Sequence, residues 1–416
     1  MERTDYLEID GNSRGYYGLL GLLGLLVVIG LGAAYYMEHH GHYVTGMTNQ
    51  IVWGTPHIFA VFLIVAASGA LNVASIASVF GRTFYKPLSR LSGLLALALL
   101  AGGLAILVLD LGRPDRLIVA MTTYNFRSIF AWNIFLYTGF MAIVIVYLWM
   151  MMERRMNAYS KPVGLVAFVW RLVLTTGTGS IFGFLVARQA YDTAIMAPMF
   201  IAMSFSYGLA IFILVLMASY WGTGRPLGDV LLRRLKNLLG VFVAAVFYFV
   251  LAYHVTNLYM TELHGVQGFI LTRGGAFTVA FWLGQIFIGS LLPLVIFYHP
   301  ATAGSRTWLA LGAVLVIVGG FAQMYVTIVG GQAYPLAIFP GKEMLSSGFY
   351  DGVVAPYTPS LWELLLGFGG VALALMIVAL AVKVLRFLPV SLGDDVLPLP
   401  TESEPASSEG ALRAAS

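Results

Sequence analysis

Long apolar stretches separated by short polar segments dominate the pattern of this chain. Each stretch has the length of about 20 residues that an α-helix needs to cross the hydrocarbon core of a bilayer. The stretches are continuous, without the alternation of a membrane β-barrel strand. The pattern therefore predicts an all-α, polytopic integral membrane protein with ten transmembrane helices, over residues 16–36, 53–80, 88–109, 128–152, 163–187, 196–220, 238–260, 276–298, 308–330 and 362–388.

The composition agrees with a membrane protein, because the 416 residues are 59% hydrophobic and only 10% charged. We expect an N-terminal segment (1–15), a membrane domain (16–390) and a disordered tail (391–416) rich in Pro, Ser and Glu. The first apolar stretch is too long for a signal peptide, and its leading flank is not basic, so it is read as an uncleaved helix. A weak internal repeat follows the second and sixth stretches (81–88 and 224–227) and suggests two four-helix bundles, spans two to five and six to nine, with two flanking helices.

Basic residues predict the orientation of the chain. Sixteen Lys and Arg residues fall on the side of both termini and six on the opposite side, which predicts cytoplasmic termini in a bacterial inner membrane. They are dispersed among the loops, so nucleic acid is not an expected partner. Because the chain has no cysteine, it cannot use thiolate ligands for zinc or iron–sulfur clusters. Electron transfer would then require a quinone, a haem held by other ligands, or a partner that carries the metal.

Polar residues from distant segments share one predicted depth, close beneath the outer surface. Convergent polar groups in an apolar bundle are the default hypothesis for a binding site. The alternative is structural, since Asp110 and Arg113 could form a salt bridge and the loop residues could be solvated. The residues at this depth are His57, Asp110, Arg188, Asp192, His254, Glu262 and His264.

The most informative segment is the turn Asp110-Leu111-Gly112-Arg113-Pro114-Asp115-Arg116 at the end of the third span. Its glycine and proline break the helix and free backbone groups to line a pocket. Arg171 lies inside the fifth span, where it either extends to the inner surface or serves a proton route. The histidines at 39, 40 and 42 are expected to be solvated in a short loop, and no metal site is predicted.

Three segments, 53–69, 110–117 and 357–365, together resemble the polysulfide-reductase membrane-subunit (NrfD/PsrC-like) family, and in particular its ten-span HybB/DsrP branch. The resemblance covers roughly residues 16–390. It implies a quinone-binding subunit of a respiratory or sulfur-metabolism redox complex, rather than a stand-alone enzyme. The quinone would be menaquinone or ubiquinone, with no haem or iron–sulfur cluster in this chain. The implied partners are a periplasmic ferredoxin-like iron–sulfur subunit, other membrane and cytochrome subunits of the complex, and the lipid bilayer.

The resemblance also implies residue roles. His57 matches a helix position that contacts quinone, while Asp110 and Arg113 match an acidic and basic pair beside it. In this hypothesis His57 exchanges a proton with a carbonyl of the quinone, Asp110 relays protons, and Arg113 keeps the aspartate ionised.

A Tyr-Thr-Gly motif of the family is missing from residues 170–187, so either the hydroxyl of Thr178 or Ser180 replaces it or the contact is absent; His254 is also expected to contact the quinone. Tyr137-Thr138-Gly139 occurs one span earlier, in a doubtful register. The residues expected on a proton route are Asp115, Arg171, Arg188 and Glu262.

Two other classes of protein share some of these features. A proton-coupled transporter would have discontinuous helices at the membrane midplane in corresponding halves, whereas the charges here gather at one surface. A b-type cytochrome would use His57 and His254 as ligands of one haem.

Overall fold

Ten helices within the described residues are long and apolar enough to cross a membrane, which confirms the all-α prediction. The computed structural model describes residues 4–336 and 352–396. The spans are α1 (Arg14–His40), α2 (Thr55–Ser78), α3 (Thr83–Leu109), α4 (Ile129–Met152), α5 (Asn157–Gly183), α6 (Met196–Thr223), α7 (Asp229–Tyr259), α8 (Ala276–Tyr298), α9 (Arg306–Ala333) and α10 (Leu361–Val384).

Several spans contain more than one helical segment. A turn at Leu71 interrupts α2 between Thr55–Ala70 and Asn72–Ser78, whereas α6, the corresponding span of the second bundle, is continuous. The matched breaks expected of a transporter are therefore not seen in this pair of spans. Segments of π-helix form Ala280–Leu291 in α8 and Tyr325–Gly330 in α9. The shorter elements are 3₁₀ turns at His42–Val44, Pro114–Arg116 and Thr261–Leu263, helices Leu117–Thr122 and His264–Gly268, and a π segment at Phe269–Arg273.

The largest boundary error of the sequence prediction is at α7, which begins at Asp229 rather than 238. Its first turns are amphipathic, with buried Leu232 and Leu235 on one face and exposed Arg233 on another. A search for continuous apolar residues misses such a segment, because helical periodicity and not overall hydropathy defines it.

The packing agrees with two four-helix groups, α2–α5 and α6–α9, with α1 and α10 packed together at their side. The central helix is α2, whose apolar window is entirely buried and which contacts both α3 and α6. Gly69 and Gly208 form the α2–α6 crossing, where a Cβ on Gly69 would overlap the carbonyl oxygen of Ser204. Small residues let the helix backbones approach closely, which is how helices associate in a bilayer.

The first and last described segments of the chain meet at one end of the bundle, here called the terminal end. Strand β1 (Tyr6–Leu7) pairs antiparallel with β2 (Leu388–Pro389). The Asp394 carboxylate accepts hydrogen bonds from the backbone N–H groups of Asp229 and Val230. Residues 391–396 thus make defined contacts although they begin the segment predicted as a disordered tail, and residues 397–416 of that segment lie outside the described part of the chain.

Candidate functional site

His57 and Asp110 meet at the end of the bundle opposite the termini, here called the outer end. Helix α2 begins at Thr55 with Pro56 in its first turn, which places His57 there, and Asp110 directly follows the last residue of α3. The two side chains approach to 3.0 Å between His57 Nδ1 and Asp110 Oδ2. The Asp110 side chain is 1% exposed and that of His57 is 22% exposed. The two residues therefore lie together as predicted, and the more exposed His57 covers the buried carboxylate of Asp110.

The polar atoms of this pair are not used elsewhere in the described structure. His57 Nδ1 and both carboxylate oxygens of Asp110 are buried and have no hydrogen-bond partner. The 3.0 Å contact is short enough for a hydrogen bond but lacks the alignment of one, so a small side-chain rotation is needed to form it. Buried polar groups without partners cost free energy, and they mark a place where a ligand or water could bind.

The predicted pairing of Asp110 with Arg113 is wrong. Gly112 between them has φ of +70°, a left-handed conformation that favours glycine and turns the chain. Arg113 instead donates to both carboxylate oxygens of Asp115, at 3.0 and 2.9 Å. Both side chains are at least 60% exposed, and the guanidinium lowers the pKa of the Asp115 carboxyl. Arg113 therefore belongs to the surface rather than to the His57–Asp110 pair.

Aromatic rings form a wall beside the pair. The Trp53 indole stacks on the His57 imidazole with centroids 6.0 Å apart. Phe130 at the start of α4 and Phe182 near the end of α5 pack against the same indole, at 5.9 and 5.8 Å. Three segments distant in sequence thus provide an apolar aromatic surface next to the polar atoms.

A second histidine and carboxylate lie by the Asp110 turn, at the end of α1. His42 Nε2 is 4.0 Å from Glu38 Oε1, and both atoms are buried without a hydrogen-bond partner. A Cβ on Gly112 would lie 3.5 Å from the same imidazole nitrogen, which is an ordinary van der Waals distance, so His42 packs directly against the Asp110 turn. The expectation that His42 is solvated is wrong for this nitrogen. Because His42 lies beyond the last residue of α1, the turn at Gly41 brings it back towards Glu38, and the spacing in the sequence did not predict this approach.

Helices α4 and α5 contribute a further polar pair. The Tyr137 hydroxyl lies 3.3 Å from Thr178 Oγ1, and the Asn133 amide donates to the carbonyl of Gly177 at 3.2 Å while its own oxygen has no partner. Ser180 is buried further along α5, towards its outer end. The tyrosine of the Tyr137-Thr138-Gly139 sequence is therefore in contact with the residue that was expected to replace it.

His254 occupies a different environment. Its Nδ1 lies 2.7 Å from Gln267 Oε1, and its ring meets the edge of Phe281. It lines a cavity of about 20 Å³ together with Gln285 and Gln323, enough for about one water molecule. Its described contacts include none of the residues that contact His57, so the structure does not bring these two histidines to one site.

The loop before α2 is fixed by a glutamine and an arginine from other parts of the chain. The Gln332 side chain accepts from the N–H groups of Val52 and Trp53 and donates to the carbonyl of Trp53. Arg188 donates to the carbonyls of Gln332 and Gln50, at 2.9 and 2.7 Å. Burial lowers the pKa of Arg188. Arg188 is thus a positioning residue for the Trp53 loop, whereas Asp192, Glu262 and His264 are exposed.

Glu363 fixes the first turn of α2. Its fully buried carboxylate accepts from Ser360 N–H in a capping box, from Gly46 N–H and from the Tyr357 hydroxyl. That hydroxyl also accepts from Thr55 N–H at 2.6 Å. Burial is the main cause that raises the pKa of Tyr357, so the hydroxyl stays protonated at neutral pH. Sequence reasoning missed Glu363, although an acidic residue at the start of an apolar span is a signal of a buried role.

Arg171 is the largest fully buried side chain in the described structure. Its guanidinium donates to Asn72 Oδ1 at 2.7 Å and to the carbonyl of Ser68 at 3.4 Å, while Nε has no partner. The rings of Phe168 and Phe205 each lie 4.9 Å away. Arg171 forms no salt bridge within residues 4–336 and 352–396, and it does not extend to the surface.

Comparison with known proteins places this architecture in a family. The model of the polysulphide reductase NrfD family matches residues 43–336, which is most of the chain and includes the His57–Asp110 pair. The Hdr-like menaquinol oxidoreductase integral membrane subunit of Archaeoglobus fulgidus is 29% identical over 95% of this chain and 99% of its own length.

Two further relatives match this chain over nearly all of their own length. The putative dimethyl sulfoxide reductase membrane subunit of Halobacterium salinarum is 28% identical over 90% of this chain and 91% of its own. A polysulfide reductase polypeptide of Wolinella succinogenes is 24% identical over 69% of this chain and 96% of its own. The protein is therefore a multi-pass integral membrane protein that belongs to the polysulphide reductase NrfD family.

Proposed function

We propose that this chain is the quinone-reactive membrane subunit of a reductase-type complex, and that the quinone headgroup binds at the His57–Asp110 pair. The observation that carries the proposal is the set of buried polar atoms without partners on these two residues. The name of the Archaeoglobus relative, a menaquinol oxidoreductase subunit, supports a quinol as the substrate and favours menaquinone over ubiquinone.

The residues present fit a quinone headgroup. Such a headgroup is a flat ring with two carbonyl oxygens, so its site needs a hydrogen-bond donor and a flat apolar surface. His57 provides the donor, and the indole of Trp53, which stacks beside it, provides the surface. When bound, the quinone supplies the redox chemistry, which takes up or releases two electrons and two protons.

The protein groups would then hold and move protons. Asp110 faces Nδ1 of His57 and would fix the imidazole with its proton on that nitrogen, leaving Nε2 to face the ligand. Nε2 is the nitrogen that would accept a proton from the ligand or, in the doubly protonated ring, donate one to it, and the buried carboxylate would stabilise that protonated ring. Tyr137, held by Thr178, is the candidate donor to the second carbonyl, with Ser180 as the alternative hydroxyl on α5. Arg113 and His254 have no part in this arrangement.

Asp110→Asn is the direct test. The amide keeps the shape of the side chain but cannot stabilise a protonated His57, so quinone-linked electron transfer should fall by at least about a hundredfold. The measurement is quinol oxidation by the complex reconstituted in liposomes, together with binding of a quinone analogue. Asp115→Asn, five residues away on the exposed side of the turn, is the matched control and should keep the normal rate. An unchanged rate in Asp110→Asn would rule out this site.

Proton movement is a further part of the proposal. Of the four residues predicted for a proton route, only Arg171 lies buried within a span, next to Asn72, Ser68 and Thr175. Asp115, Arg188 and Glu262 are at the outer surface or in its loops. A route would therefore run along the α2–α5 interface, from Arg171 towards Thr178 and the outer end.

The remaining elements of the proposal concern the complex. We place both termini in the cytoplasm, on the charge bias of the loops. We also expect a periplasmic ferredoxin-like iron–sulfur subunit on the outer end, with other membrane and cytochrome subunits alongside. Several relatives are named as components of reductases, which supports an assembly of this kind. Purification of the complex from native membranes, followed by iron analysis and accessibility labelling of the termini, tests these statements. We also propose the outer loop 331–361, which is rich in turn formers and aromatic residues, as a docking surface; residues 337–351, about half of it, lie outside the described part of the chain.

A further inference from the structure

A cavity of about 30 Å³ opens at the terminal end of the bundle, between the starts of α7 and α9. It is at the opposite end from the His57–Asp110 pair. Its charged lining consists of three basic side chains, Arg233, Lys236 and Arg306, and one acidic side chain, Asp229. The proposed quinone chemistry uses none of these residues.

The positive charge of this cavity is only partly neutralised. Arg306 donates to the carboxylate of Asp229 at 2.7 Å and to the carbonyl of Leu227, so this cation and this anion are paired. Lys236 is 6% exposed, and its ammonium donates to the carbonyl of Ala303 at 2.9 Å, which leaves two of its three donors free. Arg233 makes no hydrogen bond or ion pair with a described residue. Two cations therefore remain without an anionic partner among the described residues.

The helix ends strengthen this preference for an anion. At the start of α7 the carboxylate of Asp394 caps the free backbone N–H groups. At the start of α9, Ser305 precedes the helix without a side-chain capping bond, and Gly304 and Ser305 line the cavity. An uncapped helix start offers N–H donors and the positive end of the helix dipole. The cavity thus combines a buried lysine, a free arginine and a free helix start.

We infer that this cavity binds the phosphate of an anionic phospholipid headgroup. It lies where two transmembrane helices emerge from the bilayer, which is the depth of the lipid phosphates. Near the same end of α9, Trp308 and Leu311 are each 41% exposed on the face turned away from the cavity residues Arg306 and Leu309, and exposed side chains of this kind mark the interfacial depth of the helix. Basic pockets between transmembrane helices are known to bind such headgroups. The inference does not depend on the quinone proposal or on the side of the membrane that this end faces.

The test uses the full chain purified in detergent and measures bound lipid by native mass spectrometry. Titration with phosphatidylglycerol should load one tightly bound lipid, whereas phosphatidylcholine at the same concentration should not. Arg233→Gln removes a cation that makes no hydrogen bond or ion pair with a described residue, so the protein should fold normally and bind phosphatidylglycerol about fivefold more weakly. Arg154→Gln is the matched control, because Arg154 is an exposed arginine at the same end of the bundle and does not line the cavity.

The outcomes separate the possible ligands. Equal retention of the two lipids, or equal weakening by Arg233→Gln and Arg154→Gln, would overturn the inference. Inorganic phosphate is added in a third titration. If millimolar phosphate displaces the lipid no better than chloride of equal ionic strength, the lipid is the ligand. If phosphate alone saturates the cavity and the lipid does not compete, the site is one for a free anion and the lipid assignment is wrong.

Discussion

The carboxylate of Glu363 connects the start of α10 to the first turn of α2, and two substitutions can measure what this connection contributes. In the structure its two oxygens accept three hydrogen bonds, from Gly46 N–H, Ser360 N–H and the Tyr357 hydroxyl. Glu363→Met keeps the volume of the side chain but removes every acceptor. Glu363→Gln keeps the shape and one acceptor oxygen.

The expected magnitudes differ because the network can reverse in one variant only. In Glu363→Met the two backbone N–H groups lose their partner, and each such group costs about 1–3 kcal/mol. Since both groups are partly buried, we expect a loss of about 3 kcal/mol. In Glu363→Gln the amide oxygen can accept from both N–H groups while its NH₂ donates to Tyr357, whose hydroxyl then donates to Thr55 Oγ1, 2.8 Å away. This variant loses only the negative charge of the acceptor, so its free energy of unfolding should fall by about 1 kcal/mol.

The assay compares thermal unfolding of the two variants and the wild type in one detergent, at one scan rate, because unfolding of such proteins is often irreversible. Binding of a quinone analogue is measured in parallel, since His57 lies two residues after Thr55. We expect Glu363→Met to be the less stable variant and the weaker binder. The reasoning fails if Glu363→Gln is as damaging as Glu363→Met, or if neither variant differs from the wild type.

Two further predictions concern the arginines. Arg113→Gln should leave the rate of quinone-linked electron transfer within about twofold, because an exposed ion pair contributes little. It should also raise the pKa of Asp115 towards its ordinary value of about 4. A large loss of rate in a normally assembled complex would show that Arg113 acts in the quinone site. Arg171→Met should stay folded, because it removes a buried cation that has no carboxylate partner. In liposomes it should keep electron transfer but lose coupled proton uptake, as followed with a pH indicator, and a normal ratio of protons to electrons would exclude Arg171 from a proton route.

The sequence was sufficient for the ten spans and for the meeting of His57 with Asp110. Span length is a property of each segment alone, and both residues stand at span ends that the chain direction brings to one surface. Depth does not give the position of a residue around the bundle, which is why His254 shares the predicted layer but contacts different residues. The partner of Arg113 depended on the conformation of Gly112, which residue types alone do not fix.

Three side chains hold the segment before α2 in place, and all three lie next to the connection between α9 and α10. Gln332 is at the end of α9, and Tyr357 and Glu363 are at the start of α10, so both ends of the α9–α10 connection are hydrogen-bonded to residues 46–55. A protein that displaces either end of that connection must also displace the backbone that carries Trp53 and His57. If a partner subunit assembles on the outer surface as proposed, it would in this way move the proposed quinone-binding histidine mechanically, without any contact to it.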